Sequence, residues 1–364
     1  MTVALVLQSL CRQAIAGNRR LRAADCSNPE QRDGTLAQGK PSAAGCCRDA
    51  ARWYICASLA WLPALAGAAC ADAPVASLPA LERVAAGVWR VPAARGEPDA
   101  ANGGATIQLV LVRDGARLWL IGSGPTPAFG AALACAIERG TGRAVTDVVN
   151  TRAAPELALA NAAFPAARLW ALPDVAATMR ARCGQCLARL QARIGPAGAS
   201  LRPTLIRVPT RRVGTAGQRA GRLGPFDWLA LARAPGERVL VLRLRRPHTM
   251  RVVIAQGLLW AGDLPDLRDT RSDTFAASLR RLRTFGAGAL LLGEQGGPSG
   301  VATLTNHLAY LAVLHAAIVP QLAHGDAAAA QAPLPAFMHW PGYAATHPLN
   351  VQRVWRELEP TLFR

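Results

Sequence analysis

The 364-residue sequence predicts an α+β chain folded as a four-layer αββα sandwich. Two observations carry this. From about residue 80 onward the pattern runs twice through short β-type segments followed by a helix, and two β-rich halves, each closed by helices, bury their apolar faces best by stacking sheet on sheet. A chain that is 51% apolar also has ample material for a large core.

Taken in order, residues 1–47 are polar, lack periodicity and contain S-N-P-E-Q-R-D-G-T, a composition unable to bury enough apolar surface to order itself. They read as a flexible leader or a start assigned too early. Residues 48–71 follow the grammar of a secretory signal peptide: a basic flank, the apolar run Trp53 to Ala68, and small residues before Asp72. The run is too short to span a bilayer comfortably. Cleavage after Ala71 or after Ala68 would release a periplasmic protein with no stable membrane span. An uncleaved anchor or a buried helix is the alternative, and lipid attachment at Cys70 a weaker one, since Gly67-Ala68-Ala69 before it lacks the usual branched apolar residue.

The domain proper is expected from residue 80 to 364, with a C-terminal helical extension. Gly87 to Val91 reads as a strand, and Thr106 to Arg113 with Arg117 to Ile121 as a hairpin across Asp114-Gly115, because alternating apolar residues flank an Asp-Gly turn. Thr126 to Arg139 is a helix, Val145 to Asn150 and Arg168 to Ala171 are strands, and Pro173 to Ile194 is a second helix. The second half continues with strands at Thr204 to Val208, Phe226 to Ala232, Arg238 to Leu244, Arg251 to Ala255 and Leu258 to Trp260. A helix from Asp273 to Phe285, a strand from Ala289 to Leu292, and helices from Val301 to His324 and Pro348 to Glu357 complete it.

The formal charge is +18, yet Lys40 is the only lysine. Arginine-rich, alanine-rich composition is what a GC-rich coding sequence produces, and no aromatic-studded basic motif accompanies it, so the charge does not point to nucleic acid. Without residues 1–75 the balance is 33 basic against 18 acidic, so the body stays basic by about +15.

Six of the nine cysteines lie in the first 70 residues, leaving Cys135, Cys183 and Cys186 in the body. A single C-x-x-C is a weak zinc signal, since a structural site needs four ligands. In an exported chain Cys183 and Cys186 are read as a local disulfide or a redox-active pair.

The most informative stretch is Val148 to Phe164, V-V-N-T-R-A-A-P-E-L-A-L-A-N-A-A-F. A strand ending in Asn-Thr, then a Pro-acid step into an Ala-rich helix, resembles the metal-binding segment of the metallo-β-lactamase fold, where the middle reads H-x-H-x-D-H. Here those positions are Arg152, Ala154, Glu156 and Leu157. The likeness continues at Leu118 to Pro127, with Gly122 where an acid usually stands. It continues at Arg233 to Leu242, with Arg233 in place of a histidine, and at Gly257 to Leu264, which keeps Asp263. In G-E-Q-G-G-P, Gln295 takes the last histidine's position. The segments R-C-G-Q-C, Y-L-A-V-L-H-A-A-I and H-P-L-N-V-Q-R-V-W-R-E-L-E further resemble the quinoprotein relay system zinc metallohydrolases. That resemblance implies an exported protein associated with pyrroloquinoline quinone-dependent alcohol oxidation.

Hydrolytic zinc needs about three protein ligands per ion and an open position where bound water becomes hydroxide. Arg152, Arg233, Ala154 and Leu157 supply none, Gln295 is a poor donor, and only Glu156 and Asp263 remain. The expectation is a non-catalytic protein with no resident cofactor, whose Arg152 and Arg233 pair with Asp263 and Glu156 in place of metal, and whose cleft takes a small anion or an acidic periplasmic partner. Asp263 as a loop cap, Glu156 as a solvated first-turn acid and the arginines as surface residues are the plainer reading. Two alternatives stay open: a zinc hydrolase using Glu156, Asp263 and distant histidines, and a thiol–disulfide accessory using Cys183 and Cys186. The histidines, His248, His307, His315, His324, His339 and His347, lie outside the ligand segments.

Overall fold

The computed structural model describes residues 70, 78–245, 250–322 and 332–360, all within one compact unit, Ala66–Arg364. The leader and signal-peptide assignments, Cys70 excepted, lie outside the described residues, as do His248 and His324.

The first half forms a seven-stranded mixed sheet in the order β1-β2-β3-β4-β5-β6-β7. Its members are β1 (Glu82–Ala85), β2 (Val88–Val91), β3 (Leu109–Asp114), β4 (Arg117–Ile121), β5 (Asp147–Val149), β6 (Arg168–Ala171) and β7 (Arg211–Arg212). Pairing is antiparallel through β4 and parallel beyond it. That switch follows from the connections: a tight turn joins β3 to β4, whereas helix α1 (Pro127–Thr141) carries the chain over to β5. Asp114 pairs with Arg117, so the turn is Gly115-Ala116, one residue later than the Asp-Gly reading placed it. Between β5 and β7 come the short α2 (Pro155–Ala158) and the long α3 (Pro173–Ile194).

The second half forms a five-stranded sheet, β12-β11-β10-β9-β8, from β8 (Ala220–Leu223), β9 (Phe226–Ala234), β10 (Glu237–Leu244), β11 (Val252–Ile254) and β12 (Leu290–Leu292). Helices α4 (Ser272–Phe285), α5 (Val301–Leu322) and α6 (Tyr343–Leu358) cover it. Two expected strands do not form. Residues 204–208 hold the end of a 3-10 turn, Pro203–Leu205, because Pro203 removes a ladder donor. Leu258 to Trp260 is a turn whose sole ladder contact is an isolated bridge from Trp260 to Gln295. The two-residue β7 and the edge strand β8 were not anticipated; β7 is two exposed arginines, and β8 (A-G-R-L) has only Leu223 buried.

Strand alternation builds the layers. On β3, Val110 and Val112 point into the inter-sheet core with Trp119 and Phe226, while Leu109 and Leu111 point the other way onto Leu133 and Ile137 of α1. On β10, Leu240 and Leu242 join the inter-sheet core, while Val239 and Val241 meet Phe275, Leu279 and Leu282 of α4. One register thus yields three apolar interfaces, and three interfaces between sheets and helices make a four-layer αββα sandwich.

Helix α5 has no charged residue and is long and apolar enough to cross a membrane. Its Leu304, Tyr310, Leu311, Leu314 and Ile318 are buried in the core against the second sheet. Residue 70 is tied in covalently: Cys70 is disulfide-bonded to Cys135 of α1, and its carbonyl accepts a hydrogen bond from Arg139.

Candidate functional site

Strand β5 delivers its C-terminal end, Asn150-Thr151-Arg152, to one end of the sandwich. Asn150 and Asn161 exchange amide hydrogen bonds at 2.8 and 3.2 Å. Thr151 Oγ1 donates to Gln256 Oε1 at 2.7 Å, and the Thr151 carbonyl accepts from Leu240 N at 2.9 Å, so this strand end is clamped to both sheets. Pro155 then opens α2 at its first position, where its fixed φ suits a helix start.

The loops at this end enclose a cleft of about 1240 Å³ whose lining includes Arg152, Ala154, Glu156, Arg233, Asp263, Glu294 and Gln295. The expected positions therefore converge, with one exception. Leu157 is fully buried in the α1 core and packs on Gly122, so the two changed positions fill one another's space rather than face the cleft.

The expected ion pairs are not the ones formed. Arg152 is bonded through Nη2 to Glu294 Oε1, and Glu294 Oε2 accepts from Gly257 N at 2.7 Å. Burial of this guanidinium opposes its charge, but Glu294 and Glu156 nearby outweigh that and hold its pKa up. Arg233 is 3% exposed and touches Glu237 Oε1 through Nη1 at 3.2 Å. Its Nε is buried with no partner, and burial together with the neighbouring Arg152 charge pushes its pKa down. Asp263 accepts from Leu264 N at 2.8 Å and, among the described residues, has only Arg95, at 3.9 Å, as an ionic neighbour. Burial raises its pKa, and burial does the same for Glu156, which makes no ion pair. The pairing of Asp263 and Glu156 with the two arginines is corrected: Glu294 and Glu237 do that work, because they stand directly beside each guanidinium. Glu294 sits in the same G-E-Q-G-G-P segment from which Gln295 was singled out. Glu237 follows Arg233 by four residues across the β9–β10 turn, a spacing that could have indicated it.

Gln295 spans to the first sheet, its Nε2 donating to the Thr106 carbonyl at 3.0 Å. The Asp263 loop is fixed from behind by His307, whose Nε2 meets the carbonyls of Trp260 and Asp263 at 3.1 and 3.2 Å.

The arrangement does not fit zinc. Guanidinium groups hold two of the expected ligand positions, the nearest carboxylates are engaged with them, and none of His307, His315, His339 and His347 lines the cleft. Among the described residues no group of three or more His, Cys, Asp and Glu side chains is placed to hold a metal ion. Cys183 and Cys186 are both free, which corrects their reading as a local disulfide. Burial pushes the Cys183 thiol up to about 11 and raises Cys186 as well. Both then carry little thiolate at neutral pH, which counts against a redox role.

The lining is balanced: eight arginines face eight carboxylates. Most are engaged, Arg193 with Glu97 at 2.9 Å, Arg238 with Asp174 at 2.7 Å, and Arg268 with both Glu97 and Asp266. Among the described residues, Arg182 and Arg189 on α3 and the acids Glu156 and Asp269 have no ion pair.

No family model matches the chain, and no curated protein does. Solved structures do. The metallo-β-lactamase from Erythrobacter litoralis, solved with beta mercaptoethanol in the active site, superposes with a TM-score of 0.51 at 14% identity, over 65% of this chain and 97% of that one. FIM-1 from Pseudomonas aeruginosa, in its mono-zinc form, gives 0.51 at 11%, over 65% and 95%. The enzyme from Hirschia baltica gives 0.50 at 11%, over 65% and 98%. At these identities the likeness is one of fold: the chain has the metallo-β-lactamase fold.

Proposed function

We propose that this metallo-β-lactamase-fold chain is a binding protein, which takes a small anionic ligand in its cleft and does not hydrolyse it with zinc. The observation that carries the reading is Arg233. An almost fully buried guanidinium with one weak contact to a half-exposed acid is costly to maintain unless something else completes it. Among the described residues, Nη1 is occupied by Glu237, Nε has no partner, and Nη2 makes no hydrogen bond. The unpaired Nε–Nη2 edge is the side-on fork that grips a carboxylate or phosphate through two parallel bonds.

The test is calorimetric titration of the full chain with acetate and with phosphate, alongside Arg233→Gln, with zinc content measured after exposure to excess zinc and dialysis. Saturable binding lost in the variant, with no retained zinc, is the expected result. One or two retained zinc ions per chain would replace this reading with that of a hydrolase.

Export to the periplasm is part of the proposal. It draws support from the Cys70–Cys135 bond, since structural disulfides persist mainly in oxidising compartments. Of the two cleavage points, the one after Ala68 keeps Cys70 in the exported chain. A role as an accessory to pyrroloquinoline quinone-dependent alcohol oxidation rests on the sequence resemblance alone; impaired growth of a deletion strain on alcohols would support it, and unchanged growth would remove it.

A further inference from the structure

The charges left over in the cleft are of both signs and lie together. Arg182, Cys186 and Arg189 stand four and three residues apart on α3, which places them on one helical face, and all three line the cleft. Arg182, Arg189, Glu156 and Asp269, the four lining charges with no ion pair, all act electrostatically on Cys186. Asp269 also acts on Arg233, and both line this cleft. A ligand that is only an anion would approach Glu156 and Asp269, two carboxylates with no ion pair among the described residues, and give them no cationic partner, which disfavours it. The balanced lining also supplies no one-signed field to gather a polyanion. A ligand with both signs meets neither obstacle.

Resting on the anion-binding reading of Arg233, we infer that the ligand is amphoteric, a short peptide or amino acid. Its carboxylate takes the Nε–Nη2 edge of Arg233, and its ammonium group lies against Asp269 and Glu156.

The experiment uses three probes on the full chain: trialanine, N-acetyl-trialanine and trialanine amide, titrated calorimetrically. Blocking either end is expected to weaken binding at least tenfold. In the Asp269→Asn/Glu156→Gln variant the difference between trialanine and its N-acetyl form should shrink to less than twofold, and a folded-state circular dichroism spectrum guards against simple unfolding. N-acetyl-trialanine binding the unaltered chain as tightly as trialanine overturns the inference and leaves a plain anion site. No binding of any of the three also overturns it, and if acetate and phosphate fail to bind as well, the reading of Arg233 falls with it.

Discussion

Leu157 Cδ1 lies 2.6 Å from where a side-chain carbon on Gly122 would stand, and Leu109 Cδ2 lies 2.7 Å from the same point. In the resembled family the corresponding positions carry a histidine and an acid; here an aliphatic side chain occupies the space that the missing side chain leaves. Gly122 also has φ +78°, a region costly for any residue with a Cβ. Gly122→Ala should therefore destabilise the fold by about 2–4 kcal/mol, combining backbone strain with overpacking. Denaturant midpoints would measure it. Leu157→Ala in the same chain should recover part of the loss, and additive costs would show that the two do not share this space.

The bond between Arg152 and Glu294 leads to a second expectation. Both side chains are largely buried, and Glu294 also holds Gly257 N, so its loss strands a guanidinium and an amide together. Glu294→Ala should cost about 3–5 kcal/mol, the range for breaking a buried pair from one side. A change below about 1 kcal/mol, measured by equilibrium unfolding, would mean that water reaches Arg152 freely.

For Asp263 the expected pairing with Arg152 and Arg233 gives way to a distant Arg95, at 3.9 Å. The Asp263 pKa is raised by burial, so the folded state binds a proton more readily than the unfolded chain does, and the ionised form at neutral pH is a net cost. Stability from this group rises as pH falls through its folded pKa towards the unfolded value, 3.8, and rises no further below that. Asp263→Asn keeps an oxygen for Leu264 N and removes the charge, so stability at pH 7 should stay within about 0.5 kcal/mol or improve slightly. A loss of several kcal/mol would restore Asp263 as an ionic anchor.

How much of this was legible beforehand depends on the range of the force involved. Alternation along β3 and β10 is local and marks the layers, and α3 begins and ends where its Pro173 and Ile194 pattern indicated. The edge strand β8 (A-G-R-L) has no such periodicity and exists through pairing with β9. The site's positions were found because they follow strand ends, which the sequence pattern marks. Glu237, four residues from Arg233, was within reach of its spacing, whereas Glu294 as the partner of Arg152 was not, because loop geometry across 142 residues decides that pairing. The same holds for Cys70 and Cys135, 65 residues apart; a close C-x-x-C pair drew the disulfide reading to Cys183, whose side chain is instead packed in the inter-sheet core.

The last expectation concerns pH. His307 is fully buried, and burial depresses its pKa to about 4, against the opposing pull of the Asp263 and Trp260 carbonyls. In the unfolded chain it titrates near 6.5, so between those values the unfolded state binds a proton that the folded state refuses. Unfolding is then favoured as pH falls from 6.5 towards 4, and below 4 this group adds no further loss. From pH 7 to pH 5 the effect should be about 2 kcal/mol. His315 and His347 are shifted down by burial as well, so the total acid sensitivity exceeds that of His307 alone. His307→Gln retains an N–H donor for the loop carbonyls but cannot titrate. Unfolding free energies at pH 7 and pH 5 should differ less in the variant than in the unaltered chain, by about the same 2 kcal/mol; equal differences in both would show that His307 is protonated in the folded protein and that the Asp263 loop is held in another way.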